Sequence, residues 1–312
     1  MEKMIILEPV FKETIWGGHA LKDQYGFNIP SNSTGECWAI SAHPNGDCKI
    51  KGGEYDGQTL SWLWDNHREL FGNLPQKQFP LLVKFIDANQ DLSVQVHPND
   101  QYAAKYENSL GKNECWYVLG CKDKETRMVM GHHAKSKEEL IAKIENDDYD
   151  SLLNVIHIKP GEFYYIPAGT IHAICSGSLI CEVQQSSDVT YRVYDYHRKD
   201  KNGNERELHV QKSLDVTAIP GDVHNDAVIE EKNENYSVKH LLKCEFFNVD
   251  HYHITGNVKL DVSEPMILVS CIDGKGIFND VDITKGMSFI IPSNVHELNI
   301  SGKLELIMST IG

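Results

Sequence analysis

Two segments of this chain read as copies of one strand–turn–strand unit, and this repeat limits the possible folds more than any other feature. Residues 159–172 have the sequence KPGEFYYIPAGTIH, and residues 285–296 have the sequence KGMSFIIPSNVH. The glycine and the proline of the two copies occur at one constant offset, and His172 and His296 at an offset one residue shorter. Two Gly-and-Pro turns can look alike by chance, but agreement across a whole strand favours a duplicated β-domain.

Short runs of β-forming residues dominate both ends of the chain. Near the start, residues 36–41 precede the turn signal Asn45-Gly46. Near the end, the turn signals Asp273-Gly274 and Ser301-Gly302 separate predicted strands over residues 266–271, 287–291 and 304–308. This pattern predicts a mainly β fold.

Helices interrupt the predicted strands. The apolar residues between Leu60 and Phe71 fall on one helical face, with Gly72 as the stop, and Ser136 with Glu139 forms a capping box ahead of a second helix. Strands with helical insertions indicate a β-barrel or jelly roll. The polar, acidic segment 219–236 predicts a boundary between two domains, over residues 1–222 and 223–312.

Composition excludes several classes of protein. Of the 312 residues 41% are hydrophobic and 24% are charged, which is typical of a globular protein. The net charge of −15 repels polyanions, so neither nucleic acid nor a membrane is an expected partner. The eight cysteines form no C-x-x-C pair and no targeting or membrane-spanning segment is visible, so we expect a cytoplasmic protein with reduced thiols.

The first candidate site lies on a predicted strand that ends at Pro98. Strand alternation places Ser93, Gln95 and His97 on one face, and the apolar residues between them on the other. A half-solvated strand shows the same alternation, so this segment alone does not identify a site.

A carboxylate and a second histidine change that conclusion. Glu114 opens an apolar strand and shares a face with Trp116 and Val118, where a lone buried carboxylate would be too costly. His172 follows the Pro-Ala-Gly-Thr turn of the first repeat. With His97 these residues form a His/Glu set that leaves coordination positions open, as a catalytic metal requires. Nitrogen and oxygen ligands alone do not separate zinc from iron, manganese or cobalt.

The other histidines fit a metal site less well. His132 and His133 precede a predicted helix, and we expect both to face solvent. His251 and His253 have the spacing of a ligand pair that could join His296. The second copy has no obvious carboxylate strand, so we expect its domain to bind no metal.

Several motifs resemble one known family. They are found, in order, at residues 15–18 (IWGG), 35–38 (GECW), 95–100 (QVHPND), 112–116 (KNECW), 166–172 (IPAGTIH) and 191–196 (YRVYDY). Over essentially its whole length the chain resembles the short bacterial form of type I mannose-6-phosphate isomerase, a zinc enzyme of the cupin superfamily. The resemblance implies a cupin jelly-roll catalytic domain with helical insertions, a degenerate second cupin domain and one Zn²⁺ per chain.

The resemblance also implies roles for individual residues. The family's zinc ligands fall on His97, Glu114 and His172, with Gln95 a fourth ligand in longer members. Its active-site arginine falls on Arg192, its contacts to the sugar phosphate on Lys84 and Ser93, and an active-site lysine on Lys112. One departure is Asn113, where long members have Pro.

The implied reaction is the interconversion of mannose 6-phosphate and fructose 6-phosphate through an enediol. The metal would polarise the carbonyl, and a base would move the proton. Candidate bases are Glu36, Lys112, Asp195 and a metal-bound water. Two alternatives are a metal-dependent cupin oxygenase, which usually presents more histidines, and a non-catalytic sugar-binding cupin. The sequence does not determine the oligomeric state.

Overall fold

The computed structural model describes residues 3–199, 202–221 and 228–312. In these ranges the strands are β1 (Ile5–Glu8), β2 (Val10–Gly18), β3 (Thr34–Ile40), β4 (Ala42–His43), β5 (Gly46–Asp47), β6 (Lys49–Ile50), β7 (Leu81–Ala88), β8 (Val94–Val96), β9 (Glu114–Cys121), β10 (Arg127–His132), β11 (Leu153–His157), β12 (Phe163–Ile166), β13 (His172–Ile174), β14 (Ser178–Gln185), β15 (Tyr191–Tyr194), β16 (Ile229–Lys232), β17 (Tyr236–Lys243), β18 (Phe247–Ile254), β19 (Val258–Asp261), β20 (Met266–Phe278), β21 (Val281–Thr284), β22 (Ser288–Pro292) and β23 (Glu297–Ile311). The helices are α1 (Ala20–Tyr25), α2 (Leu60–Asn66), α3 (Asp100–Tyr106), α4 (Lys137–Glu145), α5 (Tyr149–Leu152) and α6 (Val210–Val216), with a 3₁₀ turn at Arg68–Phe71.

Two antiparallel sheets form the first half of the chain. One has the order β12-β9-β14-β7-β2-β3 and the other the order β11-β10-β13-β8-β15. Side chains of both sheets share one buried cluster, which includes Trp116 and Ile180 from the first sheet and Met128 and Ile174 from the second. The sheets therefore pack face to face, as in a jelly roll, and the prediction of a mainly β fold is confirmed.

Strand alternation explains what covers the outer faces of these sheets. On β9, Trp116 points between the sheets, whereas Cys115 and Tyr117 belong to a cluster on the other side. That second cluster also holds residues of α2 and of strands near the C-terminus, such as Phe247 and Leu268. Helices α4, α5 and α6 cover the outer face of the five-stranded sheet.

The second half of the chain forms a ten-stranded sheet with the order β16-β17-β18-β23-β20-β22-β1-β6, in which β19 pairs with β23 and β21 with β20. The turns predicted at Asp273-Gly274 and Ser301-Gly302 are wrong, because both pairs lie inside the long strands β20 and β23. Gly276 faces Gly302 there, and a Cβ on Gly276 would lie 2.1 Å from the carbonyl oxygen of Ser301. The glycines thus permit close strand contact and bending rather than chain reversal.

The helical predictions hold with one correction. The helix predicted between Leu60 and Phe71 is broken at His67 into α2 and the 3₁₀ turn, which ends at Gly72 in the left-handed conformation as expected. Ser136 caps α4 by accepting a hydrogen bond from the backbone N–H of Glu139. The predicted Asn45-Gly46 turn lies one residue earlier, because His43 pairs with Gly46.

Two further points concern organisation. The division between residues 1–222 and 223–312 stays a prediction, and its boundary falls in residues 222–227, outside the described ranges. The first strand pairs with β22, near the opposite end of the chain.

Among the described residues, no helix combines the length and apolar character needed to cross a membrane.

Candidate metal centre and substrate cavity

Three candidate ligands converge between the two sheets of the first half. His97 directly follows β8, His172 begins β13, and Glu114 begins β9 in the facing sheet. One ligand atom from each residue lies within 4.8 Å of the others, and the three side chains are at most 1% exposed. The two histidines and the carboxylate singled out in the sequence therefore form one buried cluster.

Backbone carbonyls determine which nitrogen of each histidine faces this cluster. Nδ1 of His97 lies 2.9 Å from the carbonyl oxygen of Val189, and Nδ1 of His172 lies 2.9 Å from that of Thr170. Because a carbonyl only accepts, each Nδ1 must donate its proton, and each Nε2 then presents a lone pair. Two imidazole lone pairs and the carboxylate of Glu114 thus point at one another, at 3.4 Å from His97 and 3.2 Å from His172.

This donor set fits a divalent cation. The ammonium of Lys112 lies against Nε2 of His97 and Oε2 of Glu114, but Oε1 of Glu114 is buried, has no hydrogen-bond donor among the described residues and faces Nε2 of His172 at 3.2 Å. Two acceptor atoms that face each other at such a distance repel one another unless a positive charge lies between them. Backbone carbonyls that accept from the imidazoles, as those of Val189 and Thr170 do, are the usual partners of metal-bound histidine. Two imidazoles and one carboxylate suit zinc and related first-row metals.

Gln95 and Lys112 border the same cluster. Gln95 lies opposite His172 in the β8–β13 pairing, and its amide nitrogen is 3.4 Å from Nε2 of His172. The ammonium of Lys112 contacts Glu114 and lies 3.0 Å from Nε2 of His97. Burial and the charge of Lys112 lower the pKa of His97 to about 3, so its imidazole is neutral at physiological pH. Burial alone would raise the pKa of Glu114, but the ammonium of Lys112 holds it well below its usual range.

A cavity of about 290 Å³ opens beside these residues. Its lining includes Gln95, the predicted substrate or catalytic residues Lys84, Ser93, Lys112 and Arg192, and the candidate base Glu36, whereas the candidate base Asp195 does not line it. Three carboxylates also line it, from Glu36, Glu182 and Asp188. The sequence-predicted residues are therefore brought together at one site.

Lys84 is buried between two of these carboxylates. Its ammonium lies 3.3 Å from Glu182 and 3.9 Å from Glu36, and its side chain is 6% exposed. Burial alone would lower the pKa of Lys84, but the two carboxylates hold it above its ordinary value. Lys84 is thus a charged group that already has two counter-ions.

Arg192 lies on β15 directly opposite Gln95. Regular strand alternation predicts that Arg192, Tyr194 and Tyr196 share one face, but a β-bulge follows Arg192 and Tyr194 stacks on Tyr149 outside the cavity. Arg192 donates to the carbonyl oxygen of Glu207 at 2.7 Å. The simpler alternative from the sequence is a surface arginine paired with Asp195 or Asp188, and the described residues contain neither ion pair.

Two cavity residues were missed in the sequence. Glu182 lies in the middle of the apolar strand β14, where it accepts a hydrogen bond from the indole N–H of Trp116 at 2.9 Å. The sequence feature that could have identified Glu182 is the one that identified Glu114, namely a carboxylate inside an apolar run. Arg206 lines the cavity from the chain segment after β15 and pairs with Asp195, and no local pattern marks it.

The remaining histidines differ in part from expectation. The prediction that His132 faces solvent is wrong, since it is 1% exposed and its Nε2 lies 3.0 Å from the carbonyl oxygen of Ala218. His133 is exposed, as predicted. Glu305 is a carboxylate that the sequence analysis did not find, at 3.2 Å from His251 and 3.5 Å from His253. Whether this domain binds no metal stays a prediction.

Fold and site together define a cupin with a candidate metal centre, and comparison with known proteins specifies the family. A family model described as phosphomannose isomerase type I, catalytic domain, matches residues 4–125. A second, mannose-6-phosphate isomerase, cupin domain, matches residues 237–311. The chain is 46% identical over 310 residues to mannose-6-phosphate isomerase ManA of Bacillus subtilis (strain 168), covering 98% of each.

Solved structures agree with these matches. The crystal structure of the mannose 6-phosphate isomerase from Bacillus subtilis is similar with a TM-score of 0.97 and 44% identity, covering 99% of this chain and all of that one. Phosphomannose isomerase from Salmonella typhimurium, at 17% identity and a TM-score of 0.78, shares the fold. The chain belongs to the type I mannose-6-phosphate isomerase family.

Proposed function

We propose that this chain interconverts mannose 6-phosphate and fructose 6-phosphate with one Zn²⁺ held by His97, Glu114 and His172. The observation that carries the proposal is the convergence of two imidazole lone pairs and a carboxylate beside a cavity lined with cationic side chains. Membership of the family supports the reaction, and the chemistry of the donor set supports the metal. Gln95 is the proposed fourth ligand, through its amide oxygen.

When bound, a zinc ion would polarise the substrate carbonyl as a Lewis acid. The chain's own residues would then have to hold the sugar and move one proton between C2 and C1. Lys112, Ser93 and Arg192 line the space next to the candidate ligands, where their N–H and O–H groups can donate to the oxygens of an enediol. Lys84, between two carboxylates, is proposed to orient the sugar from the opposite wall.

The contacts of the candidate residues favour some of them as the base that moves the proton, but do not identify a single one. Burial alone would raise the pKa of Asp195, but hydrogen bonds from Arg206 and Arg198 hold it below its usual value, which makes Asp195 a poor proton acceptor. Glu36 lines the cavity and accepts a hydrogen bond from the indole N–H of Trp38 at 2.6 Å. Glu36 is therefore the better placed of these two carboxylates, and Lys112 stays a candidate beside it.

The two alternatives fit the site less well. A cupin oxygenase usually presents more histidines to its metal, whereas the residue beside His172 in this cluster is Gln95. A binding protein needs neither open coordination positions nor a cluster of paired charges. The expectations of a cytoplasmic location and of no nucleic-acid or membrane partner stay predictions.

A coupled assay tests the proposal. Purified full-length protein is given mannose 6-phosphate, and fructose 6-phosphate is measured through glucose-6-phosphate isomerase and a dehydrogenase. Metal content is measured in parallel by inductively coupled plasma mass spectrometry. We expect turnover that is lost with a chelator and restored by zinc. Equal turnover after the metal has been removed would contradict the role of the metal, and no turnover at full zinc content would contradict the reaction.

A further inference from the structure

Three arginines lie near the carboxylate of Asp195, and two of them line the cavity. Arg206 donates from Nε and Nη2 to the two oxygens of Asp195, at 2.7 and 2.6 Å, and Arg198 donates to the same carboxylate. Arg192 and Arg206 line the cavity. In the part of the chain that the structure describes, Asp195 is the only carboxylate within 4.0 Å of any of these guanidinium groups. The cluster therefore carries more positive charge than its one partner neutralises.

Both arginines that line the cavity have a donor without a protein partner. Nε of Arg192 has no hydrogen-bond partner within residues 3–199, 202–221 and 228–312. Arg206 contacts Asp195 through Nε and Nη2, and its Nη1 has no partner in the same ranges. Burial and the nearby charge of Arg206 lower the pKa of Arg192, which indicates that the arginines lack a sufficient counter-charge. Guanidinium groups crowded in this way favour binding of an anion.

Lys84 differs from these arginines in its electrostatic surroundings. Its ammonium already lies near both Glu182 and Glu36. A phosphate dianion placed against Lys84 would approach two carboxylates, and like charges at such distances repel strongly where the site is buried. Ser93, the other residue in that assignment, carries no charge. The family resemblance assigns the phosphate contacts to Lys84 and Ser93, whereas the charge balance favours the arginines.

We propose that Arg206 binds the phosphate group of the sugar phosphate and that Asp195 is a positioning residue that fixes the guanidinium plane of Arg206. This inference rests on the proposed function, because it takes a hexose phosphate as the ligand of the cavity. Arg192, which lies opposite Gln95, would face the reacting end of the sugar, and Arg206 the C6 end. A planar guanidinium with parallel N–H groups suits phosphate oxygens better than an ammonium does.

The test compares Arg206→Gln, Arg206→Lys and wild type in the full-length, zinc-loaded protein. Loss of one hydrogen bond to a charged group should raise KM for mannose 6-phosphate about 10- to 100-fold in Arg206→Gln. Because the contact is made equally in ground and transition states, kcat should change by less than about threefold. Binding of fructose 6-phosphate, measured by calorimetry, should weaken by the same factor as KM rises. Arg206→Lys keeps the charge without the fork and should give an intermediate value.

Arg198→Gln is the matched control. Arg198 shares the carboxylate of Asp195 but does not line the cavity, so its loss should change KM by less than about threefold if Arg206 contacts the ligand directly. Equal effects of the Arg198 and Arg206 variants would show that only the support of Asp195 matters and would overturn the proposal. Circular dichroism checks folding, and Arg206→Lys carries the test if Arg206→Gln does not fold.

Binding data separate this inference from the proposed function. If the wild-type protein binds fructose 6-phosphate but does not convert it, the proposed reaction is contradicted. The phosphate site can still be tested in that case, by comparing the fructose 6-phosphate affinities of wild type and Arg206→Gln in calorimetry. Unchanged fructose 6-phosphate affinity in Arg206→Gln, together with weakened affinity in Lys84→Met, would place the phosphate at Lys84 instead. A wild-type protein that binds neither fructose 6-phosphate nor inorganic phosphate overturns the phosphate site as well.

Discussion

Replacing Glu114 by Gln removes one buried charge and nearly preserves the shape of the side chain. The carboxylate contacts the ammonium of Lys112, and the two side chains are 0% and 5% exposed. After the change, the ammonium would keep only uncharged partners within the cluster, the new amide oxygen and the imidazole of His97, 3.0 Å away. Removing one member of a buried ion pair costs about 3–5 kcal/mol. We expect the free energy of unfolding of the chelator-treated protein to fall by about that amount.

A double variant isolates the cause of that loss. In Glu114→Gln with Lys112→Met both charges are gone, so most of the lost stability should return if the uncompensated ammonium is responsible. Urea unfolding followed by tryptophan fluorescence gives the midpoint and slope for wild type, both single variants and the double variant at one pH. A fall in the free energy of unfolding of less than about 1 kcal/mol in Glu114→Gln is typical of a solvent-exposed ion pair and would contradict a buried one. A double variant that is no more stable than Glu114→Gln would contradict it as well.

Further outcomes follow from the same geometry. His172→Ala should lose bound metal and activity together, and full metal content with intact turnover would remove His172 from the site. Arg192→Lys should keep fold and metal yet lower kcat and kcat/KM in parallel, whereas wild-type kinetics in Arg192→Ala would exclude Arg192. The double variant His251→Ala with His253→Ala should keep one metal per chain, so a fall by half or more would locate metal in the second half. Because the folded pKa of His97 lies near 3 and the unfolded one near 6.5, the unfolded state binds the extra proton between these values. The free energy of unfolding of chelator-treated protein should therefore fall by up to about 1.4 kcal/mol per unit as pH drops below about 6.5, with a shallower slope in His97→Gln.

The metal centre could be predicted because its ligands are polar residues in unusual local sequence contexts. Glu114 is a carboxylate at the mouth of an apolar strand, and such a position needs a partner wherever the strand is placed in space. His172 follows a turn that occurs twice in the chain, and Gln95 lies two residues before His97 on one strand face. Local sequence contains all of these signals.

Other parts of the site depend on contacts between distant segments. Asp195 meets Arg206 across a loop, and Glu305 meets His251 across the β18–β23 pairing, so neither contact has a local signature. The turn signals at Asp273-Gly274 and Ser301-Gly302 misled for a related reason. A glycine that reverses the chain and a glycine that lets two long strands touch look alike until the partner strand is known.

The pairing of β1 with β22 has a consequence for synthesis of the chain. Ile5 leaves the ribosome long before Ile290, the residue with which it pairs. Until then the backbone groups of β1 that face β22 have no partner strand, although its other neighbour, β6, is already made. Contacts between residues so far apart in the sequence form slowly, and an unpaired strand edge can pair with other chains and aggregate before its native partner strand is made. The nascent chain therefore has to protect β1 until β22 has been made, and we expect the yield of folded protein to depend on chaperone capacity more than its final stability would indicate.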